Sequence, residues 1–173
     1  ACAADSIYVL AGTNDRVQFN ALQTIANLSK IIKRLVEAGK DVYIESELPR
    51  GDTTYTNYRL TAAQLGAHME VHRWVLSLAG TPNVYPVDSW PVVAVQGSTT
   101  GDILPGITID GLHPATRAAH LIGTKGLAAQ IVANYPDAPG ITPVKVDDPV
   151  TWINENPTLV GVGTGALGSN GVG

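Results

Sequence analysis

Two short stretches of this chain hold residue types that could do chemistry together. The first is Gly12-Thr13-Asn14-Asp15, which closes the apolar run Ser6–Gly12. Asn14 offers a side-chain amide, and donors aimed at one point can stabilise an oxyanion. The plainer alternative is that Asn14 and Asp15 make a turn and cap the next helix. The second stretch is Asp110-Gly111-Leu112-His113, followed by Pro114. Asp and His three apart in a loop can reach hydrogen-bond distance. The carboxylate then fixes the imidazole tautomer and stabilises its charged form, so the His can act as a general base. A lone Asp-x-x-His is common, and the pairing of the two stretches on one chain is what gives the pattern weight.

Both stretches must be positioned by regular elements. Ser6–Gly12 is short, apolar and rich in β-formers, and predicts a strand buried on both faces. From Phe19 to Gly39, Leu22, Ile25, Leu28, Ile32 and Leu35 recur at spacings of three and four, which predicts an amphipathic helix with Gly39 as its C-cap. Asp41–Leu48 predicts a second strand, and 49–57 a loop. A second helix spans Tyr58–Gly80, a third strand Asn83–Trp90 is weakened by its proline, and a third helix spans Pro114–Tyr135. Pro114 suits an N-terminal helical position, where its missing N–H costs nothing. Strands alternating with such helices predict an α/β fold with a parallel sheet covered by helices. Ligands of such sheets bind at the carboxyl ends of the strands, where Gly12–Asp15 lies. Beyond Pro136 the pattern decays into Pro, Gly and Asp. Residues 1–135 therefore read as the α/β domain and 136–173 as a Pro/Gly-rich linker or extended arm.

With both blocks and the spacing of the elements between them in view, the segment from about Asp5 to Tyr135 resembles the SGNH (GDSL) hydrolases, serine esterases and acyl hydrolases with a flavodoxin-like three-layer sheet. Gly12-Thr13-Asn14-Asp15 looks like the third block of that family and Asp110-Gly111-Leu112-His113 like its fifth. The resemblance implies that Asn14 is an oxyanion-hole donor supported by Gly12, Thr13 and Asp15, that His113 is the general base and that Asp110 orients it. It implies no cofactor and no metal. The Gly-rich end is similar to linkers that follow such domains in phage tail and tail-fibre proteins, which implies an extracellular or virion-associated setting.

The chain departs from the family at its start. The family's first block carries the nucleophilic Ser and its second an oxyanion Gly, both upstream of the third block, yet eleven residues precede Gly12. Arg50-Gly51-Asp52-Thr53-Thr54 echoes the nucleophile block, but it lies downstream and has Thr53 in place of Ser. Ser6 falls within the predicted strand. The reading is thus a sheet whose first strands are missing from this chain, with Ser6–Gly12 as its third strand. The chain opens on Ala and shows no signal-peptide pattern, which suits a processed chain or part of something longer. The expected partner is an N-terminal fragment or partner chain that pairs with the Ser6–Gly12 strand and supplies the nucleophile. Pairing with a second copy, a homo-oligomer, is the alternative.

The rest of the composition narrows the field. Of 173 residues, 45% are hydrophobic, enough for a core, and the net charge of −4 with no basic block argues against nucleic acid. No apolar run is long enough to cross a bilayer. Cys2 is the one cysteine, so an internal disulfide and a Cys-based metal site are excluded. His68 and His72 sit four apart around Glu70, without the His-Glu-x-x-His arrangement or an evident third ligand, and read as solvated or helix-packing residues whose loss would do little. His120 reads as packing or surface, Trp74, Trp90 and Trp152 as core or interface rather than a sugar platform, and Asp102 as a turn residue. Three functions stay open at this level: an SGNH-type esterase that deacylates a carbohydrate or small ester, a non-catalytic structural or carbohydrate-binding protein on the same scaffold, and a flavodoxin-like binding module. No phosphate-cradling Gly-x-Gly-x-x-Gly follows the first strand to favour the last.

Overall fold

The computed structural model describes residues 5–18, 20–51 and 59–135, without the side chain of Val17, all within the unit Ala1–Tyr135. The expectations for Cys2, Thr53, Trp152 and the Gly-rich end lie outside the described residues. The element order is β1 (Ser6–Val9), α1 (Asp15–Gln18), α2 (Ala21–Glu37), β2 (Asp41–Glu45), α3 (Ala62–Ser77), β3 (Val84–Val87), α4 (Trp90–Val93), α5 (Thr116–Leu121), a π-helical turn (Ile122–Leu127) and α6 (Ala128–Asn134).

The three strands form one parallel sheet in the order β1-β2-β3, with Ile7 level with Val42 and Val42 level with Val84. One face carries Val42, Ile44 and Val84, packed on Ile32 of α2 and Val75 of α3. On the other, Tyr43 stacks on its cross-strand partner Tyr85 with centroids 5.0 Å apart. A second cluster, Val93, Ile103, Ile107, Ala118 and Ile122, ties α4 and the long loop after it to α5. β2 is the central strand, and Val42, Tyr43 and Ile44 are all buried.

β1 departs from the expectation of burial on both faces. It stops at Val9, it stands at the margin of the described sheet, and Tyr8 and Leu10 are 39% and 42% exposed. Its apolar sequence is that of an inner strand, but among the described residues no strand lies along its outer side.

The helix starts are set by capping chemistry. Asn20 caps α2, its Oδ1 accepting from the Gln23 N–H at 2.9 Å. Thr61 and Gln64 form a reciprocal capping box, so α3 begins at Ala62 and not at Tyr58. Gly39 follows α2 with φ +73, as a helix-ending glycine does. The predicted third helix is divided. Pro114 bridges back to Thr108 before the N-cap Ala115, and the helix widens into the π turn at Ile122. A Cβ at Gly126 would stand 2.7 Å from Ser89 Oγ, so glycine permits the π turn to approach the end of β3 closely. Trp90, expected to close the third strand, opens α4 instead.

Candidate active site

The loop after β1 is a tight turn. The Asp15 N–H donates to the Gly12 carbonyl at 2.9 Å and the Arg16 N–H to that of Thr13 at 3.4 Å. Gly12 has φ +112, a conformation in which a side chain is strained, and a Cβ there would stand 2.7 Å from Glu47 Oε1. Arg50 Nη1 donates to the Thr13 carbonyl at 3.2 Å. Burial lowers the Arg50 pKa, and the neighbouring Glu47 acts against that shift. Asn14 is exposed at the apex of this turn.

The Asp110–His113 loop is held by its own carboxylate. Asp110 Oδ1 accepts the backbone N–H groups of Leu112 at 3.0 Å and His113 at 2.8 Å, while Oδ2 lies 2.7 Å from His113 Nδ1. Gly111 adopts φ +89, and Thr108 Oγ1 accepts its N–H at 3.1 Å. The His113 N–H, followed by its ring, pulls the Asp110 pKa down to about 2. Asp110 is therefore an anion throughout the neutral range. The arrangement directs Nδ1 of His113 at a permanent acceptor and leaves the geometry of a carboxylate–imidazole pair.

Both loops border one open cleft of about 500 Å³, lined by Thr13, Asn14, Asp15, Leu48, Arg50 and His113 among others. It lies beyond the carboxyl ends of β1 and β2, where an open α/β sheet binds its ligands. The structure thus brings Asn14 and His113 to one cleft, with Asp110 behind the imidazole. Of the other candidates, Asp102 accepts from Ser98 and Thr100 within its own loop. His120 is exposed on α5, and Trp74 packs against the core of α2 and α3. Trp90 stacks on His72 with centroids 4.0 Å apart and donates Nε1–H to the Glu47 carbonyl at 2.7 Å, which uses its ring for packing. Among the described residues no three His, Cys, Asp or Glu side chains gather as a metal site would require.

Of the two alternatives read for His68 and His72, solvated or helix-packing, the structure shows the packed one. Neither is solvated. Burial lowers the His72 pKa, and His68 is 0% exposed, with Nδ1 2.7 Å from Glu47 Oε2. On the other side Glu47 Oε1 lies 3.2 Å from Arg16 Nη2, which also donates to Thr24 Oγ1 at 2.6 Å. This buried cluster of Arg16, Glu47 and His68 escaped the sequence reading. Its one signal was the pair of carboxylates in Glu45-Ser46-Glu47, at a strand end that should bury apolar residues. Glu45 is buried too, accepting from the Ser89 N–H and from Tyr8 Oη, each at 3.2 Å. Burial pushes its pKa up to about 7.

A three-stranded parallel sheet with helices on its faces is also the fold of solved structures described as GDSL-like hydrolases. The chain is similar to a protein described as an acylhydrolase from Bacteroides fragilis (17% identity, TM-score 0.61) and to a GDSL-like lipase from Bacteroides thetaiotaomicron (18% identity, TM-score 0.62), in each case over 75% of this chain and 62% of the other. A Streptococcus pneumonia protein described as a platelet activating factor matches at 20% identity and TM-score 0.61, over 78% of this chain and 60% of its own. The chain therefore spans about three fifths of the length of these neighbours. No family model matches the sequence, and no curated protein does.

Proposed function

We propose that this chain carries most of the active site of an SGNH-type serine esterase that removes an acyl group from a carbohydrate or small ester, with the nucleophilic Ser supplied by a segment outside these residues. The single observation that carries the reading is the shared cleft, lined by both Asn14 and His113, with Asp110 bonded to the His113 ring.

The geometry suits each role. The nucleophilic hydroxyl gives its proton to His113 Nε2 as it attacks the ester carbonyl. The imidazolium that forms is stabilised by Asp110, which stays ionised because three donors, two N–H groups and the ring, surround its oxygens. The Asn14 carboxamide donates to the developing oxyanion. His113 then passes the proton to the leaving alcohol, and water repeats the sequence to release the acid. The missing hydroxyl has a route to the site. A strand added parallel to β1 would end level with Gly12–Asn14, so the turn that follows it would fall at the cleft. Tyr8 and Leu10 on that margin give such a segment apolar surface to cover.

One observation favours a second reading, a binding protein without turnover: among the described residues that line the cleft there is no serine. Active-site labelling separates the two. Native material treated with a fluorophosphonate should be labelled on a serine outside residues 1–173 and lose hydrolysis of acetylated sugars and aryl acetates in parallel. Native material that takes no label and hydrolyses neither ester would leave the binding reading.

A further inference from the structure

We propose that Glu47 is a positioning residue that holds the Asn14 turn in its donating geometry through a buried hub beneath the cleft, an inference that rests on the esterase reading of Asn14. The observation is a convergence of contacts. Glu47 Oε1 pairs with Arg16 Nη2 at 3.2 Å and Oε2 with His68 Nδ1 at 2.7 Å, and all three side chains are almost wholly buried. Arg16 lies two residues after Asn14, and Gly12 lies two residues before it. On the other flank the same carboxylate occupies the space beside Gly12, where a Cβ would stand 2.7 Å from Glu47 Oε1. The hub therefore holds the turn through Arg16 on one side of Asn14 and abuts it at Gly12 on the other, while Thr24 of α2 accepts from the Arg16 guanidinium at 2.6 Å.

A buried ion pair is weak evidence for stability, because desolvation of the charges offsets their attraction. Arg16 keeps Nε and Nη1 unpartnered by hydrogen bonds and His68 keeps Nε2 so, which makes the cluster costlier still as a purely structural device. Its geometry is better suited to orientation. Neutral apolar packing could fill the space but could not specify the direction of the turn. Preorganised donors act without rearranging during the reaction, and a donor displaced by a fraction of an ångström loses much of its effect.

The test uses Glu47→Gln, which keeps the shape and removes the charge. In the 173-residue chain, amide hydrogen exchange should accelerate about tenfold or more at Asp15 and Arg16, whose N–H groups close the turn, while Val42 and Ser46 in and beside β2 stay within about twofold. In the native material the variant should lower kcat by roughly 10–100-fold with KM little changed. In an Asn14→Ala background it should cost nothing further, because it acts through Asn14. Should Glu47→Gln fail to fold, Thr24→Val removes the acceptor for Arg16 without stranding a charge, and exchange at Asp15 and Arg16 should still rise several-fold. Unchanged exchange at those two amides, or a kcat loss that multiplies with that of Asn14→Ala, overturns the positioning role. Faster exchange in material that shows no serine labelling and no hydrolysis would uphold the hub and refute the esterase.

Discussion

Replacing Glu45 with glutamine should stabilise the chain above neutral pH and weaken it slightly in acid. The Glu45 carboxyl sits at the end of β2, 1% exposed, and its pKa rises from 4.5 to about 7 because burial disfavours the anion. The folded chain thus keeps this proton over a pH range in which the unfolded chain has released it. The stability linked to that proton is present in full below pH 4.5 and is lost as the pH climbs through about 7. Raising the carboxyl from 4.5 to about 7, at about 1.4 kcal/mol for each tenfold change in proton affinity, corresponds to about 3 kcal/mol across the window. Glutamine cannot ionise, so it escapes this loss. It keeps one carbonyl oxygen, which can serve Tyr8 Oη or the Ser89 N–H but not both as well as a carboxyl does, at a cost of about 1 kcal/mol. The variant should therefore be about 1 kcal/mol less stable than the wild type in acid and about 2 kcal/mol more stable in mild alkali. Urea unfolding followed by tryptophan fluorescence at a series of pH values gives the difference directly, and groups common to both chains cancel. A difference that stays flat across the series would refute the burial argument for Glu45.

Three further outcomes follow from the site. In active native material, His113→Ala should slow ester hydrolysis by at least about 10³ and Asn14→Ala by roughly 10²–10³, both measured as kcat/KM. Gly12→Ala should cost about 1–3 kcal/mol in a denaturant titration, since it combines a left-handed backbone with a collision against Glu47. His68→Ala, expected from the sequence to do little to ester hydrolysis, should lower stability by about 2–4 kcal/mol, because it opens a void and takes a partner from buried Glu47.

Much of this was legible in the chain itself because it rests on local chemistry. The apolar runs at 6–12 and 41–48 announce strands, the three-and-four spacing of Leu22 to Leu35 announces α2, and Asp110 reaches His113 within four residues. What escaped depends on distant partners or on competing caps. Glu47, Arg16 and His68 are far apart in sequence, and each alone reads as a surface residue; burial together is what gives them a role. The start of α3 shifts because Thr61 and Gln64 satisfy the first amides. The third helix widens into a π turn at Ile122, where Gly126 leaves room for Ser89, and no periodicity records either. The bare outer side of β1 was expected from the family resemblance, which sets strands before it, and not from its own residues, since an apolar strand looks the same with or without a neighbour.

The opposite margin of the described sheet has a different character. β3 lies there, and Pro86 at its middle has no N–H, so a strand laid along that side would miss a rung of the ladder. Among the described residues, the sheet offers an unbroken adhesive border along β1 and an interrupted one along β3. Two isolated chains that met through β1 would use up both adhesive borders at once and close into a twofold pair. Growth into a fibre needs two receptive borders on each chain, so the rung missing at Pro86 works against extension beyond such a pair.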